Sequence, residues 1–247
     1  MAFFSFLLGL IIGSFLNVVI YRLPRDQSLL WPGSSCPHCE QPLKWWHLVP
    51  VFSFFWQRGK CAYCGQPISW QYPLVEVING LLWWQAYSFY GLSSQALFSA
   101  LLGSWLLVHT VIDWQQRLLL NKVNLAGAVL AGAHILLNGE PSWTSALIGA
   151  FLGGGVLFLI AFLYPAGMGL GDGKMALVMG LWLGWPQVFL ALFLASLIGA
   201  TAGIILGLKK GQIRRMSLPF GPFLAMGTYV VWYWSERLLN WYWQVML

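Results

Sequence analysis

Two aspartates and two pairs of cysteines carry most of the chemistry that this 247-residue chain can do. Asp113 closes an apolar run, and Asp172 stands in GMGLGDGKMALVMG (167–180), framed by Gly169, Gly171 and Gly173 with Lys174 two residues on. Only seven residues are acidic, so each acid beside an apolar run needs a reason. An acid in or next to a spanning helix is costly to desolvate and faces a partner, the bundle interior or water. Alone, each aspartate reads as a helix cap or an interfacial charge. Brought together across one water, the two divide labour: one carboxylate takes a proton from water while its protonated neighbour polarises a carbonyl. That is the chemistry of amide hydrolysis. The glycines remove side chains around Asp172, allowing positive φ and the close approach of another backbone, such as an extended substrate. Lys174 either tunes Asp172 or snorkels toward lipid headgroups.

All four cysteines lie in a near repeat, CPHCEQPLKW (36–45) and CAYCGQPISW (61–70), with the shared pattern C-x-x-C-x-Q-P-[LI]-x-W. The turns Cys36/Cys39 and Cys61/Cys64, separated by 21 residues (40–60), can converge four thiolates on one tetrahedral zinc, each at about 2.3 Å. Two disulfides are the competing reading, disfavoured in a reducing cytoplasm; a redox CxxC is disfavoured by the duplication. A closed four-sulfur site is structural, with no open position for catalysis. His38, inside the first turn, reads as an exposed loop histidine and not as a fifth ligand.

These residues must be positioned by membrane elements. Charged residues make up 8% of the chain and hydrophobic ones 59%, with 16 tryptophans, against roughly 25% charged in soluble domains. In lipid the backbone must pair within each segment, so helices of about 20 residues are the spanning unit. Eight are expected, near 2–21, 73–91, 96–114, 122–138, 142–164, 173–186, 187–208 and 219–242, the sixth being short. The fold class is therefore an all-α polytopic membrane protein with a small zinc-binding cytoplasmic domain between helices 1 and 2. Its divisions are 1–21 (first transmembrane helix), 22–72 (four-cysteine domain) and 73–247 (transmembrane domain). The first apolar stretch lacks a basic n-region and a small-residue cleavage site and reads as a retained span.

Twelve of the thirteen lysines and arginines, among them Arg22, Arg25, Lys44, Arg58, Lys60, Arg214 and Arg215, fall on one face, leaving Arg237 opposite. That face is expected to be cytoplasmic. The net charge of +6 then needs only this bias and attraction to anionic lipid, not a nucleic-acid partner. Glu76, a few residues into the second span, calls for a partner: a structural hydrogen bond, or a contact with a ligand. Asn17 and Arg22, in GSFLNVVIYRLP, raise the same question, while the Gly and Ser there permit close helix packing. No glycine-rich nucleotide loop after a strand is present.

With these residues in hand, the chain resembles the type IV prepilin peptidases, membrane aspartic proteases of the GxGD type. The likeness runs over almost the full length: GLIIGSFLNVVIYRLP (9–24), the paired CxxC turns, WQYPLVEVINGLLW (70–83), Asp113 at the end of an apolar run, GMGLGDGKMALVMGLWLGW (167–185) and LPFGPFLAMG (218–227). A lone GxGD or CxxC pair is a weak match; their order and spacing together are specific. The resemblance implies a prepilin or pseudopilin substrate, cut on the cytoplasmic side between a short basic leader and the hydrophobic helix of the mature pilin. It also implies N-methylation of the new terminus, usually a phenylalanine, with S-adenosylmethionine. By the family pattern Asp113 and Asp172 are the catalytic pair, Gly169 and Gly171 shape the loop, and Cys36, Cys39, Cys61 and Cys64 bind zinc. Glu76, Asn17 and Arg22 are the candidates for the methyl-donor site. The setting implied is the bacterial inner membrane, with the active site facing the cytoplasm. The chain departs from the family at Leu119-Leu120-Asn121, where Leu-Pro-Asp is common, at Gln115, where many relatives carry a second aspartate, and at Gly173, where a branched residue is commoner and whose absence could loosen the loop. Two readings of other classes remain: a proton-coupled carrier using both aspartates, and a noncatalytic scaffold whose zinc domain docks a partner.

Overall fold

The computed structural model describes residues 1–165, 167–210 and 218–246; Arg214 and Arg215 of the basic face lie outside them. Among the described residues the chain is helical, apart from two isolated bridges in the cysteine region. The helices are α1 (Ala2–Arg22), α2 (Phe52–Trp56), α3 (Gln71–Tyr90), α4 (Ser94–Gln116), α5 (Asn121–Asn138), α6 (Trp143–Leu163), α7 (Leu170–Leu183), α8 (Gln187–Lys210) and α9 (Gly221–Met246). Two compact units result, Met1–Val108 and His109–Leu247, the division falling inside α4.

Four segments are long and apolar enough to cross a membrane: Ala2–Arg25, Ser94–Gln116, Trp143–Leu163 and Gln187–Lys209. Helix α3 has the length but carries polar residues, and they point inward. Glu76 and Asn79 are buried while Leu74, Ile78, Leu81 and Trp84 are exposed, the distribution suited to an apolar solvent. Helix α7 opens at Leu170, three residues before the expected start, which places Asp172 in its first turn. Its 14 residues span only about 21 Å, short of a hydrocarbon core of about 30 Å. Met175, Ala176, Met179 and Trp182 are fully enclosed, so α7 is an inner helix of the second unit.

In the first unit, α1 and α3 approach through glycines four residues apart. A Cβ on Gly13 would lie 2.7 Å from the Glu76 Cα, and one on Gly9 would lie 2.7 Å from the Trp83 Cβ. This small-residue spacing brings helices close where lipid gives no hydrophobic drive. The contact is pinned by polar side chains: Asn79 Nδ2 donates to Gly9 O at 2.7 Å, Ser104 Oγ donates to Asn79 Oδ1 at 2.7 Å, and Trp83 Nε1 donates to Ser104 Oγ at 3.0 Å. Gly13→Leu is expected to destabilise the chain by about 2–3 kcal/mol through overpacking. Thermal unfolding in detergent checks this, and a melting point equal to wild type contradicts so close an approach.

In the second unit α7 is wedged against α6, where a Cβ on Gly149 would meet the Gly184 backbone at 2.7 Å and one on Gly154 the Leu177 Cβ at 2.9 Å. On its other side Trp182 Nε1 donates to Gly127 O of α5 at 3.1 Å. These contacts fix where α7 begins, and with it the position of Asp172.

Candidate active site and metal centre

Asp113 and Asp172 are two of only three buried acids in a chain with seven, Glu76 being the third. Asp113 sits in the last turn of α4. Its Oδ2 accepts the Gly221 N–H at 2.9 Å, and Gly221 is the first residue of α9, where unpaired amides and the helix dipole favour an anion. The approach depends on the missing side chain, because a Cβ on Gly221 would lie 2.7 Å from that oxygen and 3.1 Å from its Cγ. Arg117, one turn on, is within electrostatic reach of the carboxylate.

Asp172 is the third residue of α7, and its Oδ2 accepts the N–H of Gly169, the residue that caps the helix, at 3.2 Å. It interacts electrostatically with Asp113. In both acids one oxygen is committed to a glycine amide, and no hydrogen bond among the described residues engages Oδ1 of either. Two buried carboxylates, each held by a backbone amide and in electrostatic interaction, can share a proton and activate a water.

The expected positive φ around Asp172 is corrected. Gly169 is extended, at φ −82° and ψ 148°, and Gly171 and Gly173 lie inside α7 with ordinary helical backbone. What the site uses is room. A Cβ on Gly171 would meet the Leu119 Cβ at 3.0 Å, and one on Gly173 would meet the Phe158 ring at 2.7 Å. Gly173 therefore seats Phe158 of α6 and does not loosen a loop. Lys174 Nζ donates to Asn121 Oδ1 at 2.9 Å. The unusual Leu119-Leu120-Asn121 thus supplies two contacts to the start of α7, one apolar through Leu119 and one polar through Asn121. Asn121 was noted only as a departure and Gly221 not at all, although the Gly-Pro opening of α9 was a readable helix-start signal. His109, one turn before Asp113, is also buried and faces Asn124 of α5.

The two cysteine turns fold alike. Cys36 N–H donates to Gln41 O at 3.1 Å and Glu40 N–H to Cys36 O at 2.9 Å; in the second copy Cys61 N–H donates to Gln66 O at 2.8 Å and Gly65 N–H to Cys61 O at 2.9 Å. Glu40 and Gly65 both take positive φ, and each turn closes with an antiparallel bridge, Ser35 to Pro42 and Lys60 to Pro67. The four Sγ atoms lie within 4.8 Å of one another, with Cys36 and Cys64 at 3.9 Å, and no disulfide joins them. A tetrahedron with 2.3 Å zinc–sulfur bonds has edges of about 3.8 Å, so the donor set fits the ion. Backbone amides of Cys64 and Tyr63 lower the Cys61 thiol to about 7, while desolvation and the neighbouring sulfurs push Cys64 up to about 11, so the thiols of the cluster titrate together. His38 is exposed and outside the cluster.

The remaining candidates have partners in the first unit. Glu76 Oε2 accepts the Val51 N–H at 2.7 Å; Val51 holds φ 64°, a strained value for a β-branched residue, so the carboxylate clamps a local strain. Asn17 Nδ2 donates to Tyr72 O at 3.1 Å, and Arg22 donates to Ser28 O at 2.9 Å and Gly33 O at 3.0 Å. Asn17 Oδ1 is buried without a partner.

Residues 7–90 match the family described as Bacterial Peptidase A24 N-terminal domain, and residues 100–204 match the Type IV leader peptidase family. Proteins named Prepilin leader peptidase/N-methyltransferase are similar along nearly the whole chain. The one from Aeromonas hydrophila is 36% identical over 96% of this chain and 92% of its own length. That from Xanthomonas campestris pv. campestris is 34% identical over 95% and 92%, and that from Pectobacterium carotovorum subsp. carotovorum 39% over 89% and 88%. No solved structure matches the chain.

Proposed function

The chain belongs to the type IV leader peptidase family, and from that premise we propose that it is a membrane aspartic endopeptidase that removes the leader from type IV prepilins or pseudopilins. The observation that carries the reading is the pair Asp113 and Asp172: both buried, each fixed by a glycine amide, and in electrostatic contact. A water bridging their Oδ1 atoms gives up a proton to the ionised acid as it attacks the scissile carbonyl, while the protonated acid hydrogen-bonds the carbonyl oxygen. The proton then passes to the leaving amine. Gly169 and Gly171 hold the start of α7, and Lys174 ties it to α5. The bundle reads as about eight crossings, with α3, α5 and α9 added to the four apolar spans and α7 as a short inner helix. The functional divisions are the first helix (1–21), the cytoplasmic four-cysteine domain (22–72), for which structural zinc is proposed, and the peptidase domain (73–247). The distribution of basic residues supports a site at the cytoplasmic face, in a bacterial inner membrane.

The relatives' names pair the peptidase with an N-methyltransferase. We extend that second activity to this chain, with S-adenosylmethionine as methyl donor, and derive no step for it from Glu76, Asn17 or Arg22. Neither the carrier nor the scaffold reading is favoured by these relatives.

The test is release of a shortened product when the purified chain, in membranes, is given a prepilin with its leader; a substrate left intact by a folded, zinc-loaded chain overturns the proposal. A sharper prediction concerns Gly221. Gly221→Ala pushes a methyl group into the Asp113 carboxylate, and a displacement of about 1 Å at a reacting group costs on the order of a hundredfold. Steady-state cleavage kinetics should show that loss with zinc content unchanged. Cleavage at the wild-type rate would separate Gly221 from the site.

A further inference from the structure

The cysteine region carries its largest rings on the outside. In α2, Phe52, Phe55 and Trp56 stand at i, i+3 and i+4, one face of a helical turn. They are 71%, 60% and 90% exposed, while Phe54 on the other side is buried. The exposed face continues without a break into α3. Trp70, at the helix cap and 61% exposed, meets the Phe55 ring with centroids 6.3 Å apart. Leu74, Ile78 and Leu81 follow it at helical spacing, all exposed, on the side of α3 away from Glu76 and Asn79. In a membrane helix that outer row faces lipid. Glu76 reaches from the inner side to the Val51 N–H and so locks the start of α2 to α3. Directly after α2 come Arg58 and Lys60, both exposed. Residues 22–72 hold five basic side chains against two acids, Asp26 and Glu40, a net of +3 (5 − 2).

We propose that α2 is an interfacial anchor: Phe52, Phe55, Trp56 and Trp70 enter the headgroup–acyl boundary of the membrane that α3 crosses, and Arg58 and Lys60 rest on anionic lipid phosphates. Aromatic side chains collect at this depth because one end is apolar and the other tolerates water. Basic groups beside them gain from the negative surface potential of the leaflet. An apolar ring cluster of this size standing in water would be an aggregation hazard; continuity with the lipid face of α3 gives it an occupant. The four-cysteine region then lies against the bilayer. This inference rests on the membrane placement of α3 and not on the peptidase reading, so the two can fail separately.

The test uses the full chain in nanodiscs of phosphatidylethanolamine and phosphatidylglycerol, with the photo-crosslinking residue p-benzoylphenylalanine replacing Trp56 or, as an exposed control, His38. Burying an aromatic side chain in lipid is favourable enough that phospholipid adducts at position 56 should exceed those at 38 by about tenfold. Addition of a prepilin peptide should leave that ratio unchanged. Equal adducts at the two positions, or crosslinks from position 56 to the peptide or to a second copy in place of lipid, overturn the proposal. If the substituted chain loses its zinc, Trp56→Phe serves instead. Its fluorescence should be quenched less by phospholipids brominated on the acyl chain than that of wild type, and equal quenching is an overturning result.

Discussion

Asparagine at position 113 or at position 172, introduced one at a time, is expected to leave a folded chain that cuts prepilin at least about a thousandfold more slowly, in line with the loss of a positioned acid or base. The substitution is close to isosteric. An amide oxygen can still accept the Gly221 N–H at position 113 or the Gly169 N–H at position 172, so the helix starts that depend on these bonds should persist. What disappears is proton transfer, and under the proposed mechanism, in which the two acids act as a unit, removing either removes the exchange. The double variant should be little worse than either single one. The wild type should show kcat/KM passing through a maximum with pH, since activity needs one acid ionised and one protonated; each single variant should lose that shape. Methylation of a precleaved substrate should survive in both variants if the methyl site is separate from the pair. Cleavage near the wild-type rate by either variant takes that residue out of the mechanism.

Helix positions, the paired cysteine turns and the isolation of two acids were legible because each has a short-range signature. An apolar run of about 20 residues marks a lipid-crossing helix, and a repeat of C-x-x-C-x-Q-P marks a turn whose backbone bonds are local, as those of Cys36 and Cys61 are. Helix α7 opens three residues ahead of the expected 173 because burial against α6 and α5 overrides the low helix propensity of glycine in Gly169-Leu170-Gly171. For the same reason the glycines around Asp172 suggested backbone freedom when their use is space for Leu119 and Phe158. The bonds between Gly221 and Asp113 and between Lys174 and Asn121 join residues 108 and 53 positions apart, and no local pattern encodes a partner at that range. Asn121 shows the cost of reading a departure one residue at a time. Its loss of charge relative to the family looks like a defect until Lys174 is seen to take the amide oxygen.

Stripping the metal, or replacing Cys61 by serine, is expected to unfold residues 22–72 outright. A region of this length normally relies on an apolar core, yet Cys36, Phe54 and Cys61 are its only buried residues, and two of those three are sulfur donors. Domains too small to bury a core are held by metal or disulfides, and here no disulfide is present. Structural zinc supplies about 10–16 kcal/mol in small four-ligand sites, far more than the few bonds within each turn provide. The purified chain should therefore carry about one zinc, and a strong chelator should expose all four cysteines to thiol reagents together. Limited proteolysis should then cut within 22–72 while α1 and α3 stay paired, because Gly9, Gly13 and Asn79 hold that contact without the metal. Cys61→Ser should give the same cleavage pattern without chelator. A metal-free wild type that resists proteolysis in this region would show that the four thiols are close for another reason and would remove zinc from the account.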